Sequence, residues 1–295
     1  MMLREHIKGL IRKTLSTISP TLCSKLLYYR AFRRKLDLQH PQTLNEKLMW
    51  LKLNEYEKNP LVVQCADKYR VRDYVKAMGC GEILNELYGV YDRPEDIPWD
   101  KLPQRFVLKC NHGCGYNILC RDRSSFDRAA ATHMLKRWMR EDYWRVRAEL
   151  NYKGIQKRII CEAYLAHDDD SALEDYKLYC FHGKPYCIMT CIGREKQDVR
   201  FYFFNRDWEL LRINPDSKAA AVDFSLPRPP MLEQMFRYAE ILSAPFSFVR
   251  VDLYAIENRV VFGELTFTPS SALDTHRLPE TDLLFGSLLN LPMQG

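Results

Sequence analysis

Residues Arg105-Phe-Val-Leu-Lys109-Cys-Asn-His-Gly113-Cys-Gly115-Tyr-Asn117-Ile-Leu-Cys120 decide how the chain is read. Arg105–Lys109 has strand composition, Ile118–Cys120 is a returning strand, and the loop between them carries two glycines in a chain that has only 12. Glycines at a hairpin loop let backbone N–H groups approach an anion closely, and Lys109 at the strand end adds a positive charge, which together make a phosphate cradle. The competing reading is an ordinary hairpin with a surface lysine.

Downstream the chain reads as sheet. Ile159–Leu165 and Asp175–Phe181 are strands, His182-Gly183 is a turn, and Pro185–Ile192 and Arg200–Phe204 continue an antiparallel meander up to the turn Asn205-Arg206-Asp207. Pro227–Pro230 breaks the pattern, Met231–Leu242 is a helix, and Phe246–Tyr254 with Arg259–Phe267 forms a strand pair around Glu257-Asn258. That pairing brings Asp252 and Glu264 toward one face, where Mg²⁺ bound to substrate phosphates would supply the counter-charge that two clustered carboxylates need. The alternative is a pair of surface carboxylates. On the strand Asp175-Tyr-Lys177, alternation places Asp175 and Lys177 on one side, so Lys177 faces a phosphate, faces a carboxylate, or pairs with its neighbour.

Upstream the period is helical. Leu3, Ile7, Leu10, Ile11 and Leu15 alternate with Arg4, Lys8, Arg12 and Lys13 in a basic amphipathic helix ending near Ser19-Pro20. Thr43 with Glu46 forms a capping box at the head of a second helical block, and Asp67–Met78 reads as a third that stops at Gly79 and Gly81. Ile83–Tyr91 is a strand, Arg93–Pro103 a proline-punctuated loop, and Ser125 or Asp127 caps a helix over Ala129–Trp144. Helices first and sheet later is an α+β pattern.

The 295 residues allow one large domain or two to three lobes. Hydrophobic residues at 46% and charged residues at 28% exclude disordered, collagenous, coiled-coil and disulfide-scaffold classes. No apolar run is long enough to span a bilayer, so a soluble protein is expected. Ten cysteines without a regular framework indicate a reducing cytoplasm, and residues 1–19 lack the cleavage site of a secretory signal. The net charge of +6 is concentrated before residue 36, where nine lysines and arginines face the single acid Glu5. P-loop, dinucleotide-binding, zincin and GxSxG motifs are absent.

Taken in order, the motifs TLNEKLMWLKLNE (Thr43–Glu55), ADKYRVRDYV (Ala66–Val75), VLKCNHGCGYN (Val107–Asn117), DYKLYCFHGKP (Asp175–Pro185) and VRVDLY with FGELTFTPSS (Val249–Ser271) resemble the TupA-like ATP-grasp family, named for teichuronopeptide biosynthesis. The resemblance covers roughly Pro41 to Leu273. It implies an α+β ATP-grasp fold in which a nucleotide lies between two α+β lobes, with basic helices over 1–40, a helical and α+β region over 41–103, a central ATP lobe over 104–161 and a metal-bearing lobe over 162–295. Lys109 would match the lysine that reaches the phosphates, and Asn111, His112, Gly113 and Gly115 a mobile loop closing over them. Glu162 would match the acidic residue near adenine or ribose, with Ala163, Tyr164 and Leu165 as the hinge that reads the adenine edge. Lys177 would match the second basic position and Arg250 the arginine that stabilises an acyl-phosphate and the tetrahedral adduct. Asp252 and Glu264 would match Mg²⁺ ligands. Many ATP-grasp enzymes carry Glu-x-Asn at the metal, whereas this chain has Glu264-Leu-Thr266, with a threonine hydroxyl as third ligand. The implied activity is ATP- and Mg²⁺-dependent joining of an amine, such as an amino acid, to a uronic-acid-type carboxylate of a cell-surface polysaccharide or its precursor. No nucleic-acid partner is implied.

Three rival readings stand beside it. Asp168-Asp169-Asp170 looks like the metal-binding DxD of a glycosyltransferase, although a charged run between strands is usually a solvated turn. Cys110, His112, Cys114 and Cys120 invite a zinc site, but their spacing fits no common finger. Residues 1–35 could form a binding module for nucleic acid or an anionic membrane surface; in an enzyme the same helix either contacts the inner face of the membrane peripherally or packs on its own domain.

Overall fold

The computed structural model of the chain describes residues 2–166, 173–193, 198–256 and 258–292. The Asp168–Asp170 run lies outside the described residues. The chain opens on helices α1 (Met2–Ile18), α2 (Pro20–Phe32), α3 (Leu44–Asn54), α4 (Pro60–Ala66) and α5 (Val71–Ala77). Ser19 caps α2, its hydroxyl accepting from Leu22 N at 3.2 Å. The capping box at α3 forms as expected: Glu46 N donates to Thr43 Oγ1 and Thr43 N donates to Glu46 Oε2, at 3.3 and 3.1 Å.

The helix expected over Asp67–Met78 is instead two short ones. Asp67 takes an extended conformation, ψ 113°, after α4, and its Oδ1 accepts from Tyr69 N and Arg70 N at 2.8 and 3.2 Å. An aspartate that satisfies the next backbone groups itself breaks a helix rather than continuing it. The strand expected from Ile83 begins at Leu87, because Gly81–Ile83 is a 3₁₀ turn. The later helix stops early: α6 spans Arg128–Arg140 with Asp127 as its cap, Glu141 turns extended, and α7 (Trp144–Arg147) is a separate turn.

Strands β1 (Leu87–Tyr91), β2 (Phe106–Cys110), β3 (Asn117–Cys120) and β4 (Ile159–Ala163) form an antiparallel sheet in the order β1-β4-β2-β3. The junction drawn between 161 and 162 therefore falls inside β4, which belongs with β2 rather than with the meander. The second antiparallel sheet contains β5 (Asp175–Phe181), β6 (Lys184–Ile192), β7 (Arg200–Phe204), β8 (Leu210–Leu211), β9 (Phe248–Ile256) and β10 (Arg259–Thr266), ordered β10-β9-β5-β6-β7-β8. Helices α8 (Pro215–Ala219), α9 (Leu232–Ser243) and α10 (Pro279–Ser287) complete it.

Each sheet buries one face. Phe106, Leu108, Cys110, Ile159 and Cys161 pack with Leu135 and Trp138 of α6 in a smaller core. Leu178, Val249, Val251 and Leu253 pack in a larger one with Met235, Phe236 and Ala239 of α9. Strand alternation then turns Lys109 and Glu162 of the first sheet, and Lys177, Arg250 and Asp252 of the second, to the opposite faces, where they line one cleft.

Candidate active site

The cleft, about 320 Å³, is walled by both sheets. On the first, Val107 pairs with Glu162 and Lys109 with Ile160, which sets Lys109 and Glu162 on a same-face diagonal. Lys109 Nζ donates to Glu162 Oε2 at 2.7 Å, and Arg72 of α5 reaches Oε1 of the same carboxylate at 3.1 Å. On the second sheet, Lys177 pairs with Asp252, Tyr179 and Thr266 both pair with Arg250, and Glu264 pairs with Asp252.

Arg250 grips Asp252 with two hydrogen bonds, from Nε at 2.7 Å and from Nη2 at 2.6 Å, and Nη2 also donates to Thr266 Oγ1 at 3.2 Å. Lys177 lies between two carboxylates, in contact with Asp175 and 3.5 Å from Asp252 Oδ2. Lys68, from the segment joining α4 to α5, donates to Glu264 Oε2 at 3.0 Å, and the Thr266 hydroxyl donates to Oε1 at 3.0 Å. Burial alone would raise the Glu264 carboxyl, but the charges of Lys68 and Arg250 outweigh it and hold the pKa down at about 2. Burial pushes Asp252 upward against the pull of Arg250 and Lys177. Four cations, Lys68, Lys109, Lys177 and Arg250, thus meet four carboxylates in one cleft, with Arg72 pairing Glu162 from beside it, a balance open to change by an anion with its own cation.

The carboxylates of Asp252 and Glu264 and the hydroxyl of Thr266 are hard oxygen donors on adjacent strands, the donor chemistry Mg²⁺ selects. Among the described residues no group of three His, Cys, Asp or Glu side chains is placed to hold a metal. A cation here would therefore complete its shell with phosphate and water oxygens, which is how Mg²⁺ is usually held beside a nucleotide.

Several expected residues lie elsewhere. Asn111 is buried and structural: its amide donates to Asp67 Oδ1 and to Gln156 O at 2.8 and 2.9 Å, and its Oδ1 accepts from Arg158 N at 2.6 Å. His112 is buried with Nε2 3.2 Å from Trp138 O, and burial pushes its pKa down. A Cβ on Gly113 would meet the Tyr143 ring at 2.6 Å. The near half of the loop is thus pinned, and the residues that line the cleft are Cys114, Gly115, Tyr116 and Asn117. Gly115 has φ +76° with open space around it, a conformation that suits glycine. Cys110 and Cys120 lie in the core behind the sheet while Cys114 faces the cleft, so these thiols do not converge. Ala163 N donates to Glu86 O and Ala163 O accepts from Asn85, so this residue's backbone is already bonded. Tyr164 lies under the Arg105 guanidinium, 4.5 Å from ring centroid to carbon; neither it nor Leu165 is among the cleft-lining residues.

Lys68 and Arg72 carry no role in the sequence reading, although both stand in the motif ADKYRVRDYV. The motif carries three basic residues after Asp67, namely Lys68, Arg70 and Arg72, and nothing local marks the two that reach the site carboxylates. Lys68 N donates to Asn111 O at 3.2 Å, so the same stitch that pins the glycine loop also delivers Lys68.

A second cavity, about 280 Å³, shares Lys177 and Arg250 with the cleft. Along β5 the face that lines the two cavities changes from Asp175 and Lys177 to the ring of Tyr179, and Phe201, Phe203 and Phe285 continue that aromatic wall. Ser270, with φ 51°, borders it from the turn after β10.

The TupA-like ATPgrasp family model matches residues 46–290. No curated protein matches the chain. Similar solved structures include the D-alanine–D-alanine ligase from Bacillus anthracis (14% identity, 77% of this chain and 65% of that one, TM-score 0.46). Others are the D-alanine–D-alanine ligase from Helicobacter pylori (18% identity, 78% and 62%, TM-score 0.43) and the L-amino acid ligase from Bacillus licheniformis (10% identity, 78% and 51%, TM-score 0.46). The chain spans less than two thirds of the length of each of these three proteins.

Proposed function

The chain belongs to the TupA-like ATP-grasp family, and from that premise we propose that it is an ATP- and Mg²⁺-dependent, ADP-forming carboxylate–amine ligase. The acceptor carboxylate is of the uronic-acid type, on a cell-surface polysaccharide or its precursor, and the amine comes from an amino acid. The observation that carries this reading is the position of Lys177 and Arg250 in the wall common to a charged cleft and an aromatic-lined cavity. A triphosphate in the first and a ring-bearing carboxylate in the second would meet at these two cations.

In the proposed reaction an oxygen of the acceptor carboxylate attacks the γ-phosphorus, the bond from that phosphorus to the bridging oxygen breaks, and ADP leaves. The acyl-phosphate exchanges an oxide leaving group for phosphate. The amine nitrogen then attacks the carbonyl carbon, loses a proton, and phosphate departs. Lys109, Lys68 and Lys177 bind and orient phosphate oxygens, and Arg250 stabilises charge that develops on the acceptor. Mg²⁺, held by Asp252 and Glu264 with Thr266, would neutralise phosphate charge when bound. Glu162 stands at the nucleoside end. Cys114–Asn117 cover the phosphates and limit water, which would otherwise hydrolyse the acyl-phosphate. Ten free cysteines, all among the described residues, accord with a reducing, cytoplasmic setting.

The test is an incubation with ATP, Mg²⁺, pooled amino acids and ¹⁸O-carboxylate uronic acids. The proposal expects ADP and phosphate in step with amide, and one ¹⁸O carried into the phosphate. Formation of AMP and pyrophosphate, or phosphate free of label beside labelled amide, would overturn the acyl-phosphate route.

A further inference from the structure

The α1–α2 hairpin is built inside out. Cys23 packs on Ser16, whose hydroxyl lies 3.1 Å from its Sγ, so the two helices run antiparallel with small side chains between them. Ser16, Cys23, Ser24 and Tyr28 are buried, whereas Leu10, Ile11 and Ile18 of α1 are 62%, 61% and 77% exposed. Leu22, Leu26 and Tyr29 of α2 are exposed as well. The last three recur at i, i+4 and i+7 and form one stripe. A shallow cavity of about 90 Å³ joins the two helices, because Ile11 and Leu26 line it together with Leu15 and Leu27. Arg12 and Arg30 line it too, and Lys25, Arg33 and Lys35 are exposed nearby. No acidic residue occurs from His6 to Leu36.

A helix whose large aliphatic side chains point to water beside a purely cationic margin lacks a partner that is apolar and anionic at once. We infer that the outer face of the α1–α2 hairpin docks on an anionic phospholipid surface, the leucines and isoleucines entering the acyl boundary and the arginines and lysines meeting headgroup phosphates. The charge sign selects lipid over a second copy of the chain, since two copies of this face would set cation against cation. No helix among the described residues is long and apolar enough to cross a membrane, so the contact lies in the interface plane. The sequence left packing on the body and docking on a membrane as competitors; the two faces of one hairpin do both. The inference is independent of the ligase reading, because none of these residues lines the nucleotide cleft.

The experiment is co-sedimentation of the full chain with vesicles of phosphatidylcholine alone and of phosphatidylcholine with phosphatidylglycerol. Recovery with the anionic vesicles should exceed that with neutral ones by about tenfold, and should fall with added salt. The pair L22S/L26S removes exposed apolar groups and should abolish recovery with the unfolding temperature unchanged. The pair K25E/R30E should weaken it by on the order of fivefold or more per residue. Equal recovery with both vesicle types, or none with either, would overturn the inference. So would a dimer in sedimentation analysis that L22S/L26S dissociates, which would assign the face to a second copy.

Discussion

Glu264 stands directly opposite Asp252 on β10 and β9, and Gly263 is the extra residue that puts it there. Phe262 pairs with Leu253, so an unbroken ladder would set Glu264 against Val251, whose side chain lies in the core. A one-residue slip turns a side chain to the other face, and a bulge is the usual device for re-aiming one. A Cβ on Gly263 would lie 2.9 Å from Asp252 O and 3.1 Å from the Tyr254 ring. Gly263→Val should therefore move Glu264 off the cleft and lower Mg²⁺-dependent ATP turnover on the order of tenfold or more. An Mg²⁺ titration of turnover, with circular dichroism to confirm the fold, checks it. Turnover at the wild-type level would remove Glu264 from the metal site.

Lys109 is held by Glu162, but Glu162 keeps Arg72 when Lys109 is removed. Lys109→Met should leave the protein folded and weaken ADP binding by about tenfold or more, the value of a charge-assisted contact to phosphate. The measurement is the ADP-dependent rise in unfolding temperature, which follows ligand concentration over Kd. An unchanged response would mean that the lysine does not reach the phosphates.

Lys68 and Glu264 give a pH dependence with a definite sign. Glu264 titrates at about 2 in the folded protein against an ordinary value of 4.5, so its pairing stabilises the fold fully above 4.5 and ceases to do so as pH falls through about 2. Lys68→Met removes the principal counter-charge. The wild type should be the more stable of the two at pH 6, and the difference should shrink steadily between pH 4.5 and pH 2. Chemical denaturation at a series of pH values reads it, and a difference that stays constant over that window would disprove the coupling.

Much of this was readable in the chain, and what was not has a physical cause. Lys109, Lys177, Arg250 and Asp252 sit on regular strands, where period-two alternation assigns the face directly. Glu264 is different. A hairpin turning at 257–258 sets its register by an odd sum, and alternation alone would put Glu264 on the core side, so the expected convergence with Asp252 needed a bulge that only the lone glycine hinted at. Lys68 reaches the cleft through Asp67 and Asn111, a contact 44 residues apart in sequence, which no local pattern encodes. The family resemblance implies that the loop at 111–115 is one mobile unit. Its first half is fixed by a buried amide that satisfies three partners, and composition does not distinguish a pinned asparagine from a solvated one.

Cys114 offers a reporter for the cleft. All ten cysteines are free; nine are buried and Cys114 is exposed, within the wall of the cleft beside Gly115. Burial around the sulfur pushes its pKa up, so it should alkylate slowly. In native protein one thiol should react with N-ethylmaleimide, and MgATP should slow that reaction several-fold by covering it. Intact-mass spectrometry gives the count and the rate. Labelling at the same rate with saturating MgATP would show that the nucleotide does not lie against this loop.

Behind the aromatic cavity, Ser270, Ser271 and Ala272 adopt left-handed conformations in succession, with φ of 51°, 60° and 61°. Each such residue costs about 1–3 kcal/mol unless its surroundings hold it. Glu149 does the holding: its carboxylate, fully buried, accepts from Thr268 Oγ1 at 2.6 Å and from Ser271 Oγ at 3.0 Å. Burial raises its pKa, while Thr268, Lys52 and Ser271 draw it back. Glu149→Leu leaves two buried hydroxyls without their acceptor and should cost about 1–3 kcal/mol of stability. Glu149→Gln keeps one acceptor oxygen and should recover part of that. Because Ser270 borders the aromatic cavity and not the charged cleft, the proposed function expects ADP affinity to stay at the wild-type value in both variants while ligase turnover falls in Glu149→Leu. Denaturant melts with ADP thermal shifts separate the two effects. Loss of ADP affinity equal to the loss of turnover would place the turn under the nucleotide instead.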